Sequence, residues 1–69
     1  MNNIEFVKEL KTQGVRLSNG AMLQLYNEIV WTKLAVIDEH LMFLKRLGII
    51  SFDEFNAIYR CLKKIKEVK

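Results

Sequence analysis

The sequence predicts an all-α fold of three helices, over about residues 3–12, 19–47 and 52–66, and three observations carry that expectation. Apolar residues recur at spacings of three and four through most of the chain, proline is absent, and the only glycines, Gly14, Gly20 and Gly48, stand at gaps in the pattern. The expected arrangement is a long central helix with two shorter ones packed on it, in a single domain covering 1–69. A chain of 69 residues has a core that leaves only about 3–5 kcal/mol of net stability. One cysteine makes no intramolecular disulfide and leaves no Cys/His set for structural zinc. Regular helix packing and self-association are therefore the expected sources of stability, in an oligomeric helical bundle.

Each element follows from its own signals. Asn2 or Asn3 can cap a first helix running to about Thr12, with Ile4, Val7 and Leu10 on one side and Phe6 widening that face. Gly14 suits its C-terminal cap, and Ser18-Asn19-Gly20 opens the next helix. No breaker interrupts the chain from there to Leu47, so the periodicity predicts one helix of about 40 Å. Leu23, Tyr26, Val30, Leu34, Ile37, Leu41 and Leu44 form one seam of it, and Met22, Leu25, Ile29, Val36, Phe43 and Leu47 a second beside it. Trp31, Ala35 and Met42 form a third stripe on the far side, leaving a narrow polar strip through Glu28, Thr32, Glu39 and Arg46. Lys45 and Arg46 complement the helix C-terminus, and Gly48 stands where a left-handed cap belongs. The third helix opens with a capping box, Ser51-Phe52-Asp53-Glu54, and repeats Phe52, Phe55, Ile58, Tyr59, Leu62 and Ile65 at helical spacing.

Leu44, Leu47, Gly48, Ile49, Ile50, Ser51, Glu54, Phe55 and Leu62 give the segment 41–65 a further character. It resembles the SHOCT-type short helical hairpin, in which a leucine-bearing helix end is followed by Gly-Ile-Ile-Ser/Thr, two variable positions, Glu-Phe and a second amphipathic helix. The resemblance implies a helical hairpin and an oligomerisation or interaction role. It covers about the last third of the chain, and no recognisable main domain accompanies it.

The search for chemistry is negative. Asp38, Glu39 and His40 point about 100° apart on a helix and do not converge on one ion. No base and orienter accompany a nucleophile, and Cys61, although near Arg60 and Lys64, has no oxyanion site. The glycines are isolated and make no phosphate loop. Neither an enzyme nor a cofactor or metal is expected. The N-terminus lacks a signal-peptide apolar run and no stretch is apolar enough to span a bilayer, so a cytoplasmic protein without membrane attachment is expected.

Net charge is +3, from 11 Lys plus Arg against 8 Asp plus Glu. The excess gathers at the C-terminal end, where Arg60, Lys63, Lys64, Lys66 and Lys69 face only Glu67. Cations are favoured at a helix C-terminus whatever the function. The acids Asp53 and Glu54 at the start of the third helix also oppose its use as a DNA-reading helix. The preferred expectation is a small interaction and oligomerisation module, a phage or mobile-element adaptor or inhibitor acting on a larger protein. Its self-contact would run through Trp31, Ala35 and Met42, because one layer of short helices does not readily cover both sides of the long one. The alternative is an accessory nucleic-acid binder using the basic tail from Arg60 onward.

Overall fold

In a computed structural model, which describes residues 1–66, the chain forms four α-helices: α1 (Asn3–Thr12), α2 (Asn19–Trp31), α3 (Leu34–Arg46) and α4 (Phe52–Lys66). The all-α class agrees with the sequence, but the expected three-helix count does not: the long helix over 19–47 is broken. Thr32 (φ −120°, ψ 155°) and Lys33 (φ −68°, ψ 148°) are both extended. The stretch Ile29-Val30-Trp31-Thr32 offers no glycine or proline, yet all four residues are modest helix formers and three are β-branched. Tertiary burial decides the outcome. A helix of about 40 Å would outrun a molecule whose longest dimension is 33 Å. The elbow instead turns α3 back alongside α2, so that both contribute to one core.

That elbow also changes which residues are buried. Met22, Leu25 and Ile29 of α2 are buried, but beyond the break Ile37 and Leu41 replace the expected continuation through Val36, Phe43 and Leu47. The two extended residues thus shift the buried side from one seam to the other. Leu23, Val30 and Leu34 are left exposed on α2 and at the start of α3.

The other boundaries are set by capping. Asn2 Oδ1 accepts from the Glu5 N–H at 2.8 Å while the Asn2 N–H donates to Glu5 Oε1 at 3.0 Å, a reciprocal box. At the other end of α1 the Val15 N–H donates to Leu10 O at 2.9 Å and the Gly14 N–H to Lys11 O at 3.1 Å, the paired bonds of a Schellman turn. The same pattern ends α3, with the Ile49 N–H on Leu44 O at 3.0 Å and the Gly48 N–H on Lys45 O at 3.1 Å. Gly14 and Gly48 have φ of 85° and 78°, which a side chain would disfavour.

Helix α4 packs against each of the other three and supplies Ala57, Ile58, Cys61 and Leu62 to the core. Phe6 and Leu10 of α1 join them; Val7 is half-buried and Ile4 exposed, so the buried face of α1 is rotated toward Phe6. The radius of gyration is 10.9 Å, close to the roughly 11 Å of a compact chain this long. A single copy therefore closes its own core.

Candidate functional site

The α2–α3 elbow produces an open groove between the two helices, about 510 Å³ in volume. Its walls are Ala21, Gln24, Leu25, Asn27 and Glu28 from α2 and His40 and Leu44 from α3, with Leu17 and Ile49 at the end away from the elbow. Across it, His40 Nδ1 lies 2.7 Å from Glu28 Oε1 with both side chains part-exposed. His40 is thus an edge histidine tying two helices together. No group of three metal-ligating side chains converges anywhere among the described residues.

Two exposed stripes flank this groove. On α2, Gly20, Gln24, Asn27 and Trp31 fall within about 60° of one another, all exposed and uncharged. On α3, Val36, His40, Phe43 and Leu47 share a similar arc, and Val36, Phe43 and Leu47 are each half or more exposed. Trp31, at 84% exposure, is the least covered large apolar side chain among the described residues. Ile49 and Phe52 extend the apolar surface around the α3–α4 turn, with the Lys45 ammonium 5.0 Å from the Phe52 ring centre. Large apolar side chains exposed near one another are a feature of interaction surfaces.

The expected contact residues Trp31, Ala35 and Met42 are all exposed, and α1 does not reach over them. The continuous stripe joining them does not exist, however, because the elbow separates Trp31 on α2 from Ala35 and Met42 on α3. The groove and its two flanking stripes are what the sequence concealed. Only a broken helix brings Gln24 and His40 to the same cleft, and no local signal marks the break.

Three of the basic residues at the C-terminal end make surface contacts within the protomer. Arg60 donates to Gln13 Oε1 at 2.7 Å, Lys63 lies 5.8 Å from the centre of the Tyr59 ring, and Lys66 Nζ donates to Thr32 O at 2.8 Å, capping the elbow. Lys64 is exposed, and Lys69 lies outside the described residues. Arg60, Lys63, Lys64 and Lys66 spread over about 160° of α4, so they do not line up along one face for a phosphate backbone.

Two buried ionisable groups have structural explanations. Glu54 is 8% exposed. Its Oε1 accepts from the Ser51 N–H at 2.7 Å while Ser51 Oγ accepts from the Glu54 N–H at 3.1 Å, completing the expected capping box. Its Oε2 accepts from the Arg16 N–H at 2.8 Å, tying α4 to the α1–α2 connector. Backbone N–H donors at Arg16 and Ser51 hold its carboxyl below the usual value. Cys61 is fully buried, and burial pushes its thiol up, reinforced by the Glu9 charge and opposed by Lys64 and Arg60. A thiol so placed is a core side chain rather than a nucleophile.

No family model, curated protein or solved structure matches the chain. None of the described helices is long and apolar enough to cross a membrane.

Proposed function

We propose that this chain is a non-catalytic protein-docking and self-association module, working through the α2–α3 groove and its exposed flanks. The observation that carries this reading is the asymmetry of the surface. The protomer buries one continuous core, yet Trp31, Val36, Phe43, Leu47 and Ile49 remain exposed on the two helices that form the cleft and at the turn after α3. Exposed aromatic side chains beside an apolar cleft supply the anchors and pocket that protein interfaces use. The resemblance of 41–65 to SHOCT-type hairpins, known as interaction appendages, supports the same reading. Its setting is a reducing cytosol, where the lone Cys61 stays a thiol.

The test compares the full chain with a Trp31→Ser, Phe43→Ser double variant as immobilised bait in a lysate of the native host. Both sites are exposed, so the variant keeps its helical fold. Proteins retained by the native chain and lost from the variant support the reading. Identical retention, or none by either, overturns it.

A further inference from the structure

We propose that the groove face receives a second copy of this chain, with two α2 helices packed antiparallel about a two-fold axis and Trp31 of each seated over Gly20 of the other. The proposal rests on the docking reading above and adds its occupant and register.

The exposed residues of α2 carry the argument. Gly20, Gln24, Asn27 and Trp31 follow one another at intervals of four, three and four residues, a spacing that reads the same in both directions. An antiparallel copy, with its axis crossing between Gln24 and Asn27, therefore sets Gln24 against Asn27 and Trp31 against Gly20 at both ends. That reciprocity is what a two-fold interface requires. The paired amides each hold a donor and an acceptor, so they satisfy one another in either orientation.

Gly20 supplies a second, independent observation. All three glycines have open space where a Cβ would stand, but Gly20, unlike Gly14 and Gly48, lacks a positive φ. Neither backbone conformation nor packing inside the protomer requires a glycine, and in a helix glycine is less favourable than alanine. A flat spot opposite an exposed indole gives it a use.

Charge selects a second copy over a different partner. A two-fold axis places a patch against itself, so any net charge on it is opposed by the same charge. Glu28 is the only charged residue from Asn19 to Trp31 in a chain of net charge +3, and it is paired with His40. Charge depletion at an exposed, aromatic-bearing face is the composition of an interface centre. The stripe spans only about 17 Å. The contact therefore extends across the groove to Val36 and Phe43, which are exposed on α3.

Sedimentation equilibrium of the full chain, from micromolar to submillimolar concentration, tests this with Gly20→Gln, Trp31→Ala and the double variant. The native chain is expected to dimerise, and each single substitution to weaken the dimer roughly tenfold or more. Gly20→Gln should do so while raising thermal stability of the monomer, because glutamine is the better helix former. The double variant should be little weaker than either single one, since both remove the same contact. A native chain monomeric throughout, or a dimer indifferent to Gly20→Gln and Trp31→Ala, overturns the proposal. A monomer whose retained proteins are still lost from the Trp31→Ser, Phe43→Ser bait refutes only the second copy and leaves the docking reading standing.

Discussion

Glu54→Ala should be among the most damaging single substitutions outside the apolar core. The side chain accepts backbone hydrogen bonds through both oxygens, from Ser51 at 2.7 Å and Arg16 at 2.8 Å, in a part-buried setting. Hydrogen bonds to a charged group contribute about 1.5–3 kcal/mol each. Removing both, and leaving the Arg16 N–H without its acceptor, should cost about 3 kcal/mol, most of the roughly 3–5 kcal/mol expected for a chain this size. At about 4–8 °C per kcal/mol the melting temperature falls by more than about 10 °C. Glu54→Gln, which keeps one acceptor and turns an NH₂ toward the other donor, should lose about half as much. Because the folded carboxyl lies below 4.5, its contribution is fully present above that value and is lost as pH falls through the folded pKa. Thermal melts followed by far-UV circular dichroism at neutral and acid pH check both statements, with Glu39→Ala as an exposed control. A Glu54→Ala variant melting within about 2 °C of the native chain, or a gap between the two that does not narrow in acid, refutes the reasoning.

Two further outcomes follow from the same geometry. Gly48→Ala should cost about 1 kcal/mol, because φ is 78° there while the added Cβ has open space; an unchanged melting temperature would contradict the left-handed cap. Cys61 should react with a disulfide reagent only as fast as the core opens, given its burial and raised thiol pKa; rapid labelling of the native protein would place it elsewhere.

The capping chemistry was legible because it is local. The Ser51–Glu54 box, Gly14 and Gly48 act within a few residues, so both ends of α1, the end of α3 and the start of α4 lie where the pattern indicates. The elbow at Thr32–Lys33 was not, because local preference there is weak and the decision belongs to the whole core: folding α3 back buries Ile37 and Leu41 beside Met22 and Leu25. From that miss came the others, including the broken Trp31–Ala35–Met42 stripe and the groove. The second role of Glu54 was equally hidden, since its bond to Arg16 spans 38 positions and a cap residue gives no sign of a distant donor.

The placement of Trp31 makes the chain its own optical probe. It is the only tryptophan in the sequence, it ends a helix, and it is largely hydrated while the core is built from aliphatic side chains, Phe6 and Cys61. In a single copy its emission therefore changes little on unfolding, because the indole moves from water to water. The same emission shifts to the blue when another surface covers the ring. Selectively excited, Trp31 is thus nearly blind to the folding of one copy and reports the covering of its surface.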